Sequence, residues 1–436
     1  MVSSETVLGL GGTVDYEIDW NSAVLEGLAA EYGVTVSELT TDHPIITERD
    51  LLVSVLAMLK TGSGGERFVA SSGIVETFAA RFTSRVTLGG TGVRAALAMR
   101  VLGVTSTLHL VSIDDHVRRL LPPGIDFISS AVTDTTDPHL IIQFPVGATV
   151  CLGGTLLTAT HANRLIYSND PPNQTLYLSD ELPSALSTAT LFLISGFNSM
   201  QDAQALDERL DQLRSALSRL APGSTVFYED SGFHRPEFSP RVRAALLDAI
   251  DVYSLNEDEL ETHLGHPVDL LDPHAVRSAL DDVARLIPAR HLIVHTKYFS
   301  AAIGERPELY REALRGGILM ASTRYRFGDG FTRADYDGMA AERVSPAGAI
   351  VAAALSPAAP PAMAGAATPA VSAPGAPPEA ATPEPALPDA SAPLGAARTI
   401  VCIPAFQLDD PTPTTIGLGD SFVGGFIAAL RRGRAL

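Results

Sequence analysis

The glycine-rich segment TTIGLGDSFVGGF, at residues 414–426, places one aspartate where a helix is predicted to begin. A helix N-terminus exposes unpaired N–H groups and a positive partial charge, which together favour an anion. Gly417 and Gly419 lack a Cβ and let the backbone approach such an anion closely. The Asp420 carboxylate should repel a phosphate bound at the same place, so its presence there is explained if it takes a proton from a hydroxyl while the N–H groups hold a phosphoryl group in transfer. The segment therefore predicts phosphoryl transfer, with Asp420 as the proton acceptor.

A second set of polar residues combines an amide with two carboxylates, the kind of oxygen ligand that suits Mg²⁺. In SLNEDELETHLG, Asn256 follows a predicted strand and caps a predicted helix, and Glu259 stands three residues later. This is the spacing of a capping box, in which the two side chains only satisfy the helix N-terminus. The same spacing lets both residues face one cleft and hold Mg²⁺ through its water shell. Glu229, in FYEDSG at another predicted strand end, is the candidate for a second carboxylate near the metal.

Three shorter segments offer contacts with small polar molecules, each with a structural alternative. His295 and Thr296, in HTKYFS, end a predicted strand, where they could contact a nucleotide or simply form a polar loop. Asp15 follows the first predicted strand and could accept hydrogen bonds from a polyol or cap its own backbone. Gly90 and Thr91 open an alanine-rich predicted helix. Their backbone could approach a sugar hydroxyl, although taken alone they indicate only a tight turn with close helix packing.

Several common enzyme motifs are missing from the sequence. GLGGTVD at 9–15 lacks the GxGxxG spacing of dinucleotide-binding folds, and no GxxxxGK[ST] segment indicates a P-loop. The eleven histidines form no HExxH pattern, and the two cysteines are not paired at metal-binding spacing. We therefore expect neither a P-loop enzyme nor a structural zinc site.

Composition limits the class of protein. The chain has 436 residues, 46% of them hydrophobic and 19% charged, as in ordinary globular proteins. Its net charge of −19 argues against a nucleic-acid partner, because phosphate backbones require a basic face. Two cysteines suit a reducing compartment, and neither a signal peptide nor an apolar run of membrane length is evident. We expect a cytoplasmic protein with no membrane partner, either a monomer or a small homo-oligomer.

Short β-rich segments alternate with amphipathic helical segments over most of the chain. This alternation predicts a parallel sheet covered by helices, with ligands beyond the carboxyl ends of the strands. HLIIQFPVGATV and ANRLIYSND fit that sheet less well and indicate a smaller sheet that closes over the site as a lid, which we assign to residues 19–85 and 137–180. The strands predicted for the main sheet lie at 5–12, 106–113, 190–196, 225–230, 251–256, 291–296 and 399–405.

One segment differs from the rest in composition. Residues 345–397 are dominated by Ala, Pro and Gly and contain few large apolar side chains to bury. Repeated prolines break both helices and sheets, so we predict a disordered insertion or flexible linker, with a proline-rich docking segment as the alternative. The folded domain then comprises residues 1–344 and 398–436.

The order of these segments resembles the ribokinase-like superfamily, in which an N-x-x-E element precedes a G-x-G-D segment near the C-terminus. More closely, the chain resembles the ADP-dependent glucokinase and phosphofructokinase family. Leu418 supports this branch, because ATP-using relatives usually have alanine at that position. The resemblance covers nearly the whole chain except the Ala/Pro-rich segment. It includes PHLIIQFPVG (138–147), ANRLIYSND (162–170), LISGFNSMQD (193–202), VHTKYF (294–299), TRYRFGDGFT (323–332) and IPAFQLDDPTPTTIGLGDSF (403–422).

The resemblance implies a ribokinase-like α/β fold: a central, mostly parallel sheet flanked by helices, with a smaller β-rich lid. It also implies transfer of the β-phosphoryl group of ADP to a hexose hydroxyl, assisted by Mg²⁺, giving AMP and a sugar phosphate. Carried over by position, Asp420 is the general base, Gly417, Leu418 and Gly419 form the anion hole, Glu229 and Glu259 place Mg²⁺, Asn256, His295, Thr296 and Gly419 line the ADP site, and Asp15, Glu66, Gly90 and Thr91 meet the sugar.

The acceptor sugar depends on Glu66, in SGGERF. This residue matches the position where glucose-using members carry a glutamate, whose charge would repel the phosphate of fructose 6-phosphate. Glucose is therefore the first acceptor that we expect, with fructose 6-phosphate as the second. The chain departs from the family after Glu229, where EDSGF is unusual, so the metal role of Glu229 needs its own test. The alternatives are an ATP-dependent ribokinase-like sugar or nucleoside kinase and a non-catalytic relative that binds sugar or nucleotide.

Overall fold

The computed structural model describes residues 5–356, 399–410 and 414–434, which contain sixteen β-strands and fifteen α-helices. The strands are β1 (Thr6–Leu8), β2 (Thr13–Ile18), β3 (Gly65–Phe68), β4 (Ser84–Gly89), β5 (Ser106–Leu110), β6 (Ile125–Ser129), β7 (His139–Phe144), β8 (Thr149–Leu152), β9 (Thr155–Thr158), β10 (Asn163–Ser168), β11 (Leu191–Ile194), β12 (Thr225–Glu229), β13 (Val252–Asn256), β14 (His291–His295), β15 (Phe299–Gly304) and β16 (Thr399–Pro404). The helices are α1 (Ser22–Glu31), α2 (Glu48–Thr61), α3 (Ser72–Ala79), α4 (Thr91–Val101), α5 (Asp115–Leu120), α6 (Pro171–Thr175), α7 (Leu182–Leu186), α8 (Ala203–Leu217), α9 (Phe238–Leu246), α10 (Glu257–Leu264), α11 (Pro273–Leu286), α12 (Arg311–Phe327), α13 (Arg333–Met339), α14 (Pro346–Leu355) and α15 (Leu418–Arg434).

A nine-stranded sheet forms the centre of the larger domain, in the order β16-β15-β14-β13-β12-β11-β1-β5-β6. The seven strands from β14 to β6 in this order are parallel, and β15 and β16 extend the sheet with antiparallel pairs. The strands are apolar on both faces, as parallel sheets require when helices cover both sides. On β11, Phe192 and Ile194 pack into one hydrophobic cluster, and Leu191 and Leu193 pack into the other.

This architecture confirms the predicted fold class: a mostly parallel sheet flanked by helices, with a second, smaller sheet. The predicted main-sheet strands are all present, although the first is shorter than expected because β1 spans only Thr6–Leu8. β6 and β15 have no counterpart among the predicted strands.

Helix α15 is held between α12 and α4 by glycines that let the backbones touch. A Cβ on Gly316 of α12 would lie 2.7 Å from the Gly425 carbonyl oxygen. A Cβ on Gly424 would lie 2.6 Å from the Ala95 carbonyl oxygen of α4. Contacts this close leave no room for a side chain, so α15 is fixed in position by its neighbours.

A five-stranded mixed sheet, in the order β3-β10-β7-β2-β4, lies where the sequence predicts a lid, and we refer to it as the lid sheet or lid. Strand β2 alternates, with Asp15 and Glu17 on one face and Ile18 on the other, where it joins the cluster that packs on α1, α2 and α3. The lid sheet therefore has an apolar face towards its own helices and a polar face towards the larger domain. The predicted boundary at 19–85 is too narrow, because β2 begins at Thr13 and β4 ends at Gly89.

The prediction of a disordered insertion at 345–397 is wrong for its first twelve residues, 345–356. Helix α14 begins at Pro346, and the Ser345 hydroxyl caps it by accepting a hydrogen bond from Gly348 N at 3.2 Å. Val351 and Leu355 of this helix are buried against the larger sheet. The Ser-Pro pair is a regular helix start that alanine-rich sequence can continue. The remaining residues, 357–397, lie outside the described part of the chain.

Both cysteines are free thiols in very different surroundings. Cys151 is exposed on β8, whereas Cys402 is buried in β16, where burial raises the pKa of its thiol to about 12. Across the three described ranges, the helices are all too short or too polar to traverse a lipid bilayer.

Candidate active site

Three polar residues lie at the carboxyl ends of neighbouring parallel strands, as the sequence predicted. Glu229 ends β12, Asn256 ends β13 and His295 ends β14, with Asn256 and His295 directly paired across the sheet. His295 Nε2 lies 2.9 Å from Glu229 Oε1, and the imidazole stacks on Phe422 of α15 with ring centroids 4.5 Å apart. The edge of the sheet is thereby connected directly to the helix that carries Asp420.

Glu259 forms the capping box that its spacing suggested. Its carboxylate accepts hydrogen bonds from Asn256 N at 2.8 Å and from Asn256 Nδ2 at 3.0 Å. Burial and the negative charge of Glu229 raise the pKa of Glu259 well above its usual value. The helix-capping role is therefore real, but it leaves two carboxylates close enough to repel each other.

The donor set fits a cation held through water. Glu229 is only 6% exposed, and its Oε2 is buried without a hydrogen-bond partner. An unpartnered buried carboxylate oxygen beside a second carboxylate is unfavourable unless a positive charge or its hydration shell is present. Within residues 5–356, 399–410 and 414–434 no three His, Cys, Asp or Glu side chains converge on a metal-sized site. Mg²⁺ here would therefore need further oxygen ligands from water and phosphate, as it commonly does.

The Thr296 hydroxyl belongs to the turn between β14 and β15. It donates to the Phe299 carbonyl oxygen at 3.0 Å and accepts from Tyr298 N and Phe299 N at 3.1 Å each. The structural alternative is thus present, and a contact between Thr296 and a nucleotide stays a prediction.

The beginning of α15 has the geometry expected of an anion site. Gly417 adopts a left-handed conformation with φ of 64°, and the bond from Ser421 N to Gly417 O, at 3.0 Å, is the first within the helix. The N–H groups of Leu418 and Gly419 therefore have no acceptor inside the helix. The Asp420 side chain is 24% exposed and stands 4.0 Å from Arg94 Nε. A carboxylate, N–H donors without a helical acceptor and a guanidinium thus lie close together.

Arg94 is a site residue that the sequence reasoning missed. It is only 4% exposed, and its Nη2 lies 2.8 Å from Asp15 Oδ2 and 3.6 Å from Glu17 Oε1. Burial alone would lower the pKa of Arg94, but the negative charges of Asp15 and Asp420 outweigh it and raise that pKa. A charged residue inside the otherwise small and apolar segment GVRAALAM was the signal that could have indicated it.

Asp15 lies within β2 and does not cap its own backbone. Its Oδ1 accepts a hydrogen bond from Thr13 Oγ1 at 2.6 Å, and its Oδ2 accepts one from Arg94. Asp15, which is predicted to bind the sugar, is therefore connected to Asp420 through Arg94 of α4. Gly90 has φ of 88° and approaches the backbone of Gly12, which is the tight turn of the structural alternative. A contact between Gly90 or Thr91 and sugar stays a prediction.

Glu66 lies on the polar face of the lid, among basic groups. Its Oε2 is 3.3 Å from Nε2 of His234, a residue of the larger domain. Burial would raise the pKa of Glu66, but His234, His139 and Arg164 together hold it below its ordinary value. Glu66 pairs with Ile166, Ile166 with Ile141 and Ile141 with Glu17, so Glu66 lies on the same face of the lid sheet as Glu17 and Asp15.

The lid also reaches the segment that precedes Asp420. Arg164 Nη1 donates to the Thr415 carbonyl oxygen at 3.3 Å, and Thr415 N donates to Gln143 Oε1 at 3.1 Å. Arg164 and Gln143 are direct neighbours on β10 and β7. The segment ANRLIYSND predicts a strand of the lid and carries part of the family resemblance, but nothing in that segment alone indicates which side chain meets residue 415.

Residues 4–326 match the family model described as the ADP-specific phosphofructokinase/glucokinase conserved region. Among solved structures, a hypothetical ADP-dependent phosphofructokinase from Pyrococcus horikoshii OT3 is 14% identical, with a TM-score of 0.72 over 99% of this chain and 98% of that one. The last common ancestor of ADP-dependent phosphofructokinases from Methanosarcinales is also 14% identical, with a TM-score of 0.67 over 98% and 94%. An ADP-dependent kinase in complex with fructose-6-phosphate and ADPbetaS is 12% identical, with the same TM-score and coverage. At these identities the structural likeness establishes the fold.

Proposed function

Because this chain belongs to the ADP-specific phosphofructokinase/glucokinase family and is an ADP-dependent sugar kinase, we propose that it transfers the β-phosphoryl group of ADP to a hexose hydroxyl with Asp420 as general base. The observation that carries the proposal is the position of Asp420 at the N-terminus of α15, beside N–H groups without helical acceptors. A base and an anion site in contact are what phosphoryl transfer to an alcohol requires.

In this proposal the sugar hydroxyl loses its proton to the Asp420 carboxylate as its oxygen attacks the β-phosphorus of ADP. A sugar O–P bond forms, and the bond between the β-phosphorus and the bridging oxygen breaks, so AMP departs with that oxygen. The N–H groups of Leu418 and Gly419 stabilise the negative charge on the phosphoryl oxygens during transfer. Arg94 Nε, 4.0 Å from Asp420 Oδ2, orients the carboxylate.

We also propose that Glu229, Glu259 and Asn256 hold Mg²⁺ through water. When bound, the ion would neutralise charge on the phosphates of ADP. The support within this chain is the unpartnered buried oxygen of Glu229 and the repulsion between the two carboxylates. His295 orients Glu229 by its contact with Oε1, so that Oε2 would be available to the hydrated ion.

For the acceptor we propose glucose first, because the Glu66 carboxylate would repel a sugar phosphate. A specific observation favours fructose 6-phosphate as a second candidate: Glu66 is surrounded by His234, His139 and Arg164, which compensate its charge. A related kinase has also been solved with fructose-6-phosphate. Since both cysteines are free thiols, we propose that the enzyme works in a reducing compartment such as the cytoplasm.

The test is a four-way assay of glucose and fructose 6-phosphate, each with ADP or ATP as donor and Mg²⁺ present. We expect AMP to form only when ADP and a sugar are both present, and Asp420→Ala to abolish its formation while ADP still binds. The acceptor with the higher kcat/KM identifies the substrate. Activity with ATP and a sugar, but none with ADP, would instead support the ATP-dependent alternative. Binding of ADP without turnover would support a non-catalytic relative.

A further inference from the structure

The segment TRYRFGDGFT contains an arginine that contacts the backbone just before Asp420. Arg324 lies in the last turn of α12 and is 5% exposed. Its Nε donates to the Ile416 carbonyl oxygen at 2.7 Å. The next carbonyl of the same helix, that of Tyr325, accepts a hydrogen bond from Thr414 N at 3.1 Å. The end of α12 therefore holds residues 414–416 at two points.

The Ile416 carbonyl is an effective place to hold this segment. It belongs to the peptide plane shared with Gly417, and that plane sets the direction from which the chain enters the left-handed glycine. Glycine allows many backbone conformations, so the one observed must be selected by neighbouring contacts. Arg94 supplies one of them from the other side, since a Cβ on Gly417 would lie 2.7 Å from Arg94 Cδ. Three residues later the chain reaches Asp420.

Burial of Arg324 is unfavourable if the side chain only fills space. Burial and the positive charge of Arg94 lower the pKa of Arg324, and its Nη2 has no hydrogen-bond partner within the described residues. A buried arginine near another is favourable only if its charge is compensated and its donors make specific contacts. Apolar side chains fill comparable space without this cost. The arginine is therefore better explained by its specific contacts with the Ile416 carbonyl and with Asp329.

Asp329 supplies the compensating charge. Its Oδ1 lies 2.5 Å from Arg324 Nη1, and its Oδ2 lies 3.3 Å from Nη2 of Arg85 on lid strand β4. Burial opposes ionisation, but Arg324, Arg94 and Arg85 together hold the pKa of Asp329 below its usual value. One carboxylate thus orients Arg324 and also contacts the lid.

We propose that Arg324, oriented by Asp329, is a positioning residue for the proposed base: it fixes the peptide between Ile416 and Gly417 and thereby the direction of the Asp420 carboxylate. This inference rests on the proposed role of Asp420 for its catalytic consequence. Its structural part, the immobilisation of residues 414–417, stands independently of any reaction.

The test compares three variants of the full-length chain. Arg324→Lys keeps the positive charge but cannot make both contacts, and Asp329→Asn keeps the shape but removes the compensating charge. Arg326→Lys is the matched control, because Arg326 is on the same helix and pairs with Asp410 and Glu342 instead. We expect kcat to fall roughly 10- to 100-fold in the first two variants, since small misplacements of a reacting group have effects of this size. Their KM for ADP and the kcat of the control should stay close to the wild-type values.

Hydrogen exchange of the full-length chain provides a readout that needs no turnover. We expect the peptide spanning residues 414–424 to exchange faster in Arg324→Lys and Asp329→Asn, with the exchange of the central strands unchanged. The Arg326→Lys protein should exchange like the wild type. Because Asp329 is one-third exposed, Asp329→Asn should fold even if Arg324→Lys does not.

The outcomes separate the inference from the proposed function. Unchanged exchange at 414–424 would overturn the inference, as would an equal loss of kcat in Arg326→Lys. A general loss of melting temperature and ADP binding, with kcat per folded molecule unchanged, would also overturn it. If wild-type protein is inactive with every donor and sugar, the proposed function fails, and the exchange experiment still decides whether Arg324 holds the segment.

Discussion

The two sides of the site are built on different kinds of structure. Glu229, Asn256 and His295 lie at the ends of three adjacent parallel strands and are connected to α15 through Phe422. Asp15 and Glu66 lie on the lid sheet, whose strands come from distant parts of the sequence. The first side is part of the buried framework of the larger domain. The second side carries its polar groups on a separate sheet with its own hydrophobic core.

We propose that this difference corresponds to two separate roles, with phosphoryl transfer on the first side and sugar recognition on the second. Phosphoryl transfer depends on exact placement, which is provided by strand ends and by a helix whose backbone touches its neighbours. In our proposal, sugar recognition requires entry and enclosure, and these are the task of the lid sheet, which is joined to the larger domain through polar pairs such as Glu66–His234 and Arg85–Asp329. Substitutions on the first side should therefore affect rate, and substitutions on the second should affect which sugar is used.

The strongest test on the framework side is Asp420→Asn, which keeps the shape of the side chain but removes its basicity. We expect kcat to fall about 10²- to 10⁴-fold, the usual contribution of a general base. The dissociation constant for ADP, measured by calorimetry, should change little because the helix N-terminus is intact. A loss of less than about threefold would mean that another group accepts the proton.

Glu229→Gln and Glu259→Gln test the two carboxylates separately. Each should raise the Mg²⁺ concentration needed for half-maximal rate, with losses of roughly 10- to 100-fold at low Mg²⁺. Glu259→Gln should leave the melting temperature of the Mg²⁺-free protein close to the wild-type value, because the Gln oxygen still accepts the hydrogen bond from Asn256 N and its neutrality removes the repulsion with Glu229. If both variants depend on Mg²⁺ as the wild type does, the proposal that these two residues hold the ion is wrong.

Gly417→Ala and Gly419→Ala form a matched pair at the anion site. Gly417 has φ of 64° and faces Arg94, so alanine there should reduce the free energy of unfolding by about 1–3 kcal/mol. A Cβ on Gly419 would meet only His295 Cε1, at 3.5 Å, and should cost almost nothing in stability. Denaturant unfolding gives both values. If Gly419→Ala nevertheless loses activity while ADP binding is weakened, the methyl group occupies the space of the phosphoryl group.

His109 lies on β5 of the larger sheet and holds the segment that follows the last lid strand, β10. Its Nε2 accepts a hydrogen bond from Ser179 N at 2.9 Å, and burial lowers its pKa to about 4. Because the unfolded chain binds this proton more readily, stability should decrease as the pH falls from above 6.5 towards 4. Between pH 7.5 and 5 we expect a loss of about 2 kcal/mol in the free energy of unfolding. This part of the pH dependence should be absent in His109→Gln, and an identical pH dependence in both proteins would contradict a buried neutral imidazole.

Glu66→Ala is the test on the lid side and should have the mildest effect. We expect the ratio of kcat/KM for fructose 6-phosphate to that for glucose to rise about tenfold, the scale of one lost charged contact. The KM for ADP should not change, because Glu66 lies on the lid and not at the strand ends. His234→Gln is the companion variant: if Glu66 is compensated by His234, the ratio should fall. Equal changes for both sugars would indicate that Glu66 only shapes the lid.

Much of the framework side could be predicted from the sequence, because strand ends in a parallel sheet lie along one edge. Glu229, Asn256 and His295 were identified in this way, and the structure places them together. The lid was harder to delimit. β2 is missing from the predicted strands, although the alternation in TVDYEI is that of a strand with one polar face. The Ala/Pro-rich composition likewise concealed α14, whose start depends on one serine and one proline.

The sequence by itself determined the fold class, the family resemblance and the position of Asp420 at a glycine-rich helix start, because these depend on local propensity and on motifs within a few residues. Only the tertiary structure decided which distant groups surround that aspartate. Arg94 and Arg324 come from two helices far apart in the chain, and Arg164 and Gln143 come from the lid. Charge pairing between such groups depends on how helices and sheets pack against each other. A local sequence pattern therefore cannot predict it.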